Sequence, residues 1–185
     1  MHDVRLIETG RLRLRPMTVA DGARVARWTA DLDVARMTAR VPHPQTVVGA
    51  EGWILIGLAR APLGRDFVFA VDLPGEGLIG CIGAHRLKPG AVEIGYWFGK
   101  PFWGRGYASE ALGAFVEEAQ TLGALEAGHF IDNPASGRVL ERAGFAYTGE
   151  TAAMFSLARG ARVQSRRMRH GASHARWARE LEACA

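Results

Sequence analysis

Apolar and polar positions change their period several times along the chain, and each change marks an element. Leu12 and Leu14 alternate with Arg11, Arg13 and Arg15 over residues 10–16, which predicts a half-buried strand stopped by Pro16. Thr18 and Asp21 have capping-box spacing, with Asp in place of Glu or Gln, and open a predicted helix to about Trp28. Pro42 and Pro44 break the chain before a second predicted helix over about 46–60, expected to set Trp53 and residues 55–58 on or near a buried face. Apolar runs come next at 67–73, 78–87 and 91–98. Pro74-Gly75-Glu76-Gly77 and Lys88-Pro89-Gly90 part them, which predicts an antiparallel meander.

The period then becomes helical. Ala108, Ala111, Leu112, Phe115, Val116, Ala119 and Leu122 share one face, with Glu117, Glu118 and Gln120 opposite and Gly123 as the stop. A strand at 125–131 leads into the best-marked helix of the chain. Asn133 suits its N-cap, Pro134 its first position and Arg142 its last turn. Gly144 suits the left-handed residue past its end, after which Phe145 folds back. Strands are predicted at 146–151 and 163–169, and 170–185 reads as a basic tail or a short helix. No repeat or low-complexity linker divides the chain. One α/β domain over 7–169 with a mixed strand order is expected.

Composition narrows the class of molecule. With 48% hydrophobic and 23% charged residues in 185, the chain is too apolar for disorder and sized for one domain. Its longest apolar run, around 53–59, is far short of the roughly 20 residues that span a bilayer. Met1-His2-Asp3-Val4-Arg5 lacks a secretory pattern, and Cys81 and Cys184 make no disulfide framework, so a cytoplasmic location without membrane contact is expected. His170 and His174 stand four apart with no third ligand, so no metal is expected. A net charge of +4 and a pI of 9.6 suggest a nucleic-acid partner until the charge is partitioned. Residues 1–158 hold 16 basic and 17 acidic groups, whereas 159–185 hold seven arginines against Glu180 and Glu182. The excess belongs to one end of the chain.

Two glycine patterns invite a phosphate reading. Gly75-Glu76-Gly77-Leu78-Ile79-Gly80 fits the G-x-G-x-x-G dinucleotide pattern, but the residues from Leu78 onward are apolar and β-like, so a hairpin turn is the better reading. Trp103-Gly104-Arg105-Gly106-Tyr107-Ala108 lies between a predicted strand and a predicted helix. Glycines there let backbone approach a ligand, and the first N–H groups of the helix favour an anion such as a pyrophosphate. Taken alone, the segment is equally a plain connector.

With Asn133-Pro134-Ala135-Ser136 and the closing Gly144-Phe145, that segment resembles the GCN5-related N-acetyltransferase (GNAT) superfamily, and within it the ribosomal-protein N-terminal (Rim-type) acetyltransferases. Glu93-Ile94-Gly95-Tyr96-Trp97 and Thr9-Gly10-Arg11-Leu12-Arg13-Leu14-Arg15-Pro16 resemble the same branch. Trp103 departs from the Gln or Arg that usually opens the family's phosphate loop, although Trp is common in the Rim-type branch.

The resemblance implies a mixed, mostly antiparallel central sheet with flanking helices, in which parallel strands at 91–98 and 125–131 splay around the pantetheine of acetyl-CoA. It implies cofactor contacts from Tyr96, Trp97, Phe98, Trp103, Gly104, Arg105, Gly106, Tyr107, Ala108, Asn133 and Ser136. A backbone N–H near Tyr96 to Gly99 would meet the thioester carbonyl. The implied reaction is direct acetyl transfer to a primary amine. The favoured acceptor is a protein N-terminal α-amine, with ribosome contact, in a monomer or homodimer. A small amine such as an aminoglycoside or polyamine, or a CoA-binding module without turnover, are the alternatives. The arginines at 159–169 then have CoA phosphates, a protein acceptor or rRNA as candidate partners.

Glu93 is the candidate general base on this likeness; otherwise it is a strand carboxylate facing solvent or pairing with an arginine. Ser136 is the candidate acid toward the departing thiolate; otherwise it is a first-turn serine that helps the helix start. Glu110 reads as a carboxylate complementing the helix dipole. Trp28, Trp53 and Trp97 either wall an acceptor groove or pack in the core. His85 and His129 read as ordinary strand residues rather than bases, and Cys81 as inert core.

Overall fold

The alternation at 10–16 does in three dimensions what its period demands. Leu12 and Leu14 are buried, while Arg11 and Arg13 are exposed. The strand is shorter than expected because Thr9 ties a tight turn, accepting at Oγ1 from the Leu12 backbone N–H at 3.0 Å. That turn separates β1 (Ile7–Glu8) from β2 (Arg13–Pro16). The computed structural model describes residues 6–88 and 90–171. The expected C-terminal tail, His174 included, lies outside the described residues apart from its first two positions.

The meander forms as β3 (Asp66–Leu73), β4 (Gly77–Lys88) and β5 (Ala91–Phe98), with Gly75 and Gly77 at positive φ in the first turn. The dinucleotide-like glycines are therefore a hairpin. β6 (Ala124–Phe130) pairs parallel with β5, and β7 (Phe145–Ser156) and β8 (Ala161–His170) complete one sheet in the order β1-β2-β3-β4-β5-β6-β8-β7. β7 outruns its predicted end at 151 because an irregularity between Tyr147 and Thr151, with Gly149 at φ +84, absorbs the break in alternation.

Two helical layers cover the sheet. α4 (Tyr107–Ala119) and α5 (Pro134–Arg142) pack on one face with Val71, Ile79, Ile82, Val92 and Ile94. α1 (Gly22–Thr29) and α3 (Val47–Arg60) take the other, with Ala70, Leu78 and Cys81. A short α2 (Leu32–Ala35), capped by Asp31, has no counterpart among the predicted elements; one turn is too short to show a period. α3 starts where expected, with Thr46 Oγ1 accepting from the Gly49 N–H at 3.1 Å. Its burial corrects the sequence reading. Only Ala50 and Ile54 are buried, Trp53 is half-buried, and Leu55, Ile56 and Leu58 are exposed, because six consecutive residues run right round a helix that rests on one stripe.

Thr18 and Asp21 are joined as the spacing suggested: the Asp21 carboxylate accepts from the Thr18 backbone N–H at 2.8 Å. The same carboxylate meets Arg15 at 2.7 and 2.9 Å, and Arg15 also holds Asp72 at 2.7 Å, so one guanidinium joins β2, β3 and the entry to α1. Burial works against the Asp21 charge, but the bonds from Arg15 and Thr18 outweigh it and hold the carboxyl below its ordinary range. The folded state therefore binds this proton less readily than the unfolded chain. The resulting stability is complete at neutral pH and is lost as pH falls below about 4. Asp21→Asn should lower the unfolding free energy by about 2 kcal/mol at pH 7. In urea titrations the gap from wild type should close toward pH 3; a gap constant with pH would remove the ion pair from the account.

Among the described residues, the arginines of the basic end are largely spent within the fold. Arg159 pairs with Asp132 at 2.8 Å, Arg167 with Glu93 at 2.7 Å and Arg169 with Glu126 at 3.4 Å, while Arg162 donates to the Ala153 carbonyl at 3.0 Å. No helix of the described residues is long and apolar enough to cross a membrane.

Candidate active site

β5 and β6 pair in register only from Ala91 with Ala124 to Ile94 with Ala127. Beyond that point each strand continues without its neighbour, β5 to Phe98 and β6 to Phe130. The resulting gap belongs to a cavity of about 600 Å³ that reaches the N-terminus of α4 and the first turn of α5. That volume suits a sizeable ligand.

The segment from 103 to 108 forms one wall. Gly104 (φ +72) and Gly106 (φ +79) hold the chain in the left-handed region, and Gly106 is the N-cap of α4. The opening N–H groups of α4, which have no partner within the helix, thus begin at the cavity edge, where Tyr107 and Ala108 line it. Trp103 is not an idle substitute for a polar residue. Its Nε1–H donates to the Phe98 carbonyl at 2.7 Å and fastens the loop to the end of β5. Arg105 is not among the cavity residues, but its carbonyl accepts from Arg11 Nη1 at 3.0 Å. Arg11 also stacks over the Tyr107 ring and pairs with Glu110, which accepts further bonds from the Arg11 backbone N–H and Thr9 Oγ1. Glu110 is thus more than a dipole partner: it clasps the N-terminal turn to the loop.

α5 is built as its sequence predicts. Asn133 Oδ1 accepts from the Ser136 N–H at 3.2 Å. Tyr96, from β5, donates to the Ser136 carbonyl at 3.1 Å and shares a hydrogen bond with Ser136 Oγ at 2.8 Å. Burial pushes the Tyr96 phenol up to about 12, against the hydrogen bond from Ser136, so it stays protonated at neutral pH. Asn133, Ser136, Tyr96, Trp97 and Phe98 all border the cavity. Trp97 and Trp53 pack against the α1–α3 cluster and also reach the cavity; Trp28 is half-buried against both core clusters, donating to the Leu78 carbonyl and meeting Phe102 edge-on.

Glu93 borders the same cavity but is engaged. Arg167 Nη1 lies 2.7 Å from its Oε1, having crossed over Gly128, where a side chain would block its path. In the next strand His85 is paired in register with Glu93 and, on its other side, with Asp66. The sequence reading missed this pairing, because His85 had no visible partner within its own run. Cys81 is buried, and burial raises its thiol. His129 is buried too, with Nε2 at 3.0 Å from the Tyr147 hydroxyl. Among the described residues no group of three or more His, Cys, Asp or Glu side chains is placed to hold a metal ion.

The architecture has many solved counterparts. An acetyltransferase of the GNAT family from Bacillus anthracis superposes with a TM-score of 0.75 at 23% identity, over 89% of this chain and 97% of that one. Ribosomal-protein-S5-alanine acetyltransferase from Vibrio fischeri gives 0.76 at 20% identity, over 89% and 95%. RimJ of Mycobacterium smegmatis, in complex with CoA-disulfide, gives 0.75 at 24%, over 89% and 83%. No curated protein matches the sequence. The family described as "Acetyltransferase (GNAT) domain" matches residues 11–146, a stretch running from the Arg11 clasp through the glycine loop and past α5. The chain therefore belongs to the GNAT acetyltransferase family.

Proposed function

We propose that the protein moves the acetyl group of acetyl-CoA directly to a primary amine, with the N-terminal α-amine of a protein as acceptor. One observation carries the reading: the gap between β5 and β6 opens into the cavity that the glycine-capped N-terminus of α4 also faces. An extended pantetheine fits such a gap, and a pyrophosphate fits free N–H groups at a helix start. Backbone N–H groups at the free end of β5 suit the thioester oxygen as it gains charge. Tyr96, Ser136 and Asn133 sit where pantetheine and the leaving sulfur would pass. Ser136 Oγ, already hydrogen-bonded to a protonated phenol, suits protonation of the thiolate.

The acceptor class follows from amine chemistry and from the likeness to ribosomal-protein acetyltransferases. An α-amine with a pKa near 8 is roughly 10% neutral at pH 7, whereas a lysine side chain is neutral about 0.04% of the time. A site whose nearest carboxylate, Glu93, is tied to an arginine favours the acceptor that needs less deprotonation.

The test is a free-thiol assay with acetyl-CoA and three acceptor sets. These are short peptides with free Ser, Ala or Met N-termini, the same peptides N-blocked but containing lysine, and aminoglycosides with polyamines. Thiol release with the free peptides, and mass spectrometry locating acetyl on the α-amine, is the expected result. Release with the small amines alone would move the acceptor to that class. CoA binding without release on any acceptor would make the protein a binding module.

A further inference from the structure

We propose that His85, held by Asp66 at the edge of the cavity that Gly95 also borders, is the base that takes the proton from the acceptor amine. The inference rests on the acetyl-transfer reading and adds the group that drives it. Asp66, His85 and Glu93 lie opposite one another on three adjacent strands, so they form one row across the sheet. Asp66 Oδ1 is 2.7 Å from His85 Nδ1, and Asp66 Oδ2 is 2.8 Å from Arg60 Nε. The carboxylate is thereby held in place between the two side chains. With Nδ1–H donated to Asp66, the lone pair of the ring is on Nε2.

The position of Nε2 gives this pair its use. It lies 3.4 Å from where a Cβ of Gly83 would stand, so the ring leans along β4 over a residue without a side chain. Gly83 is opposite Gly95, and Gly95 is the first residue of β5 past its pairing with β6. His85 and Gly95 both border the cavity. Gly95, with no atom within 4 Å of where its Cβ would stand, leaves room for an amine between the imidazole and the free end of β5, where the thioester carbonyl is expected.

Charges around the ring agree with a neutral base. Asp66 on β3 and Glu93 on β5 favour the imidazolium, Arg40 disfavours it, and burial, the largest influence, holds the imidazole below its ordinary range. Glu93 is poorly placed to compete, since its Oε1 already accepts from Arg167 Nη1 at 2.7 Å. The chemistry balances. The acceptor ammonium gives one proton to Nε2, and its freed lone pair attacks the thioester carbon. The C–N bond forms, the C–S bond breaks, and the second N–H proton follows the departing thiolate through Ser136 or solvent. The imidazolium then returns its proton to water.

The experiment compares wild type with His85→Gln, His85→Ala and Asp66→Asn, using an N-terminal peptide and, separately, a small diamine. His85→Gln should lower kcat by about 100-fold, within the range for a general base, while KM for acetyl-CoA changes little. The acidic limb of kcat/KM below the amine's own ionisation should vanish in that variant, and imidazole should restore part of the activity of His85→Ala. Nitrogen-15 NMR of the wild type should show His85 neutral at pH 7 with the proton on Nδ1. A kcat for His85→Gln within about threefold of wild type, or a proton on Nε2, would overturn the assignment. Turnover of the diamine but not of the peptide would refute the protein acceptor and leave His85 judged on the diamine. If neither is acetylated, the tautomer decides.

Discussion

Gly106→Val should weaken the binding of CoA by about 100-fold, close to 3 kcal/mol, in a calorimetric titration. Gly106 sits at φ +79, where an L residue is strained by roughly 1–2 kcal/mol and a β-branched one by more. The loop has no easy way to relax. Arg11 holds the Arg105 carbonyl, Glu110 holds Arg11, and a Cβ at 106 would stand 3.4 Å from Arg11 Nη2. Relief of the strain therefore turns the first N–H groups of α4 away from the cavity or opens the clasp. Either way the charge-assisted bonds to a pyrophosphate, worth about 1.5–3 kcal/mol each, are lost. Gly64→Val is the control: φ is +67 there, no atom lies within 4 Å of its would-be Cβ, and it does not border the cavity. It should lose stability by a similar backbone strain and keep its CoA affinity. Equal affinities in wild type and Gly106→Val would mean that the pyrophosphate binds elsewhere.

The contrast between those glycines shows what the chain discloses on its own. Local rules placed α5 to the residue, because N-cap, Pro and C-terminal Gly are read from consecutive letters. They placed the strands of the meander and the strand after α4 within a residue or two, since turns and apolar runs are local as well, whereas the parallel pair and its gap were implied only by the likeness to the GNAT superfamily. Contacts across many residues stayed hidden. Arg11 and Glu110 are 99 positions apart, and Glu93 and Arg167 are 74 apart. The Asp66–His85 pair shows why even a simple hairpin can conceal a site. Counting back from the turn that pairs Leu73 with Gly77 puts Arg65 opposite His85. A one-residue irregularity between Val71 and Asp72 shifts the register and delivers Asp66 instead. Strand order had the same limit. Alternation tells which face a residue takes, not which strand lies alongside, so the insertion of β8 between β6 and β7 left no local trace.

Gly80→Ala should destabilise the protein by about 3 kcal/mol, the upper end for overpacking, and lower its melting temperature by roughly 6–12 °C. Gly80 lies opposite Phe98, and a Cβ there would stand 2.5 Å from the Trp97 carbonyl oxygen and 2.8 Å from the Phe98 ring. Neither obstacle is the free end of a flexible side chain. The Trp97 carbonyl is strand backbone, and Phe98 is packed in the core. β5 must therefore move away from β4 over the residues that border the cavity, and it takes with it the Phe98 carbonyl to which Trp103 fastens the phosphate loop. Stability and CoA affinity should fall together, although residue 80 does not border the cavity itself. Gly113→Ala separates this from a generic effect of adding a methyl group. Position 113 is inside α4 with nothing within 4 Å of the new carbon, so alanine should raise stability by about 0.5–1 kcal/mol and leave turnover unchanged. If Gly80→Ala melts with wild type, β4 and β5 are not apposed as closely as the structure has them at the site's edge. If it loses stability yet binds CoA normally, the end of β5 does not hold the loop, and Trp103 is packing alone.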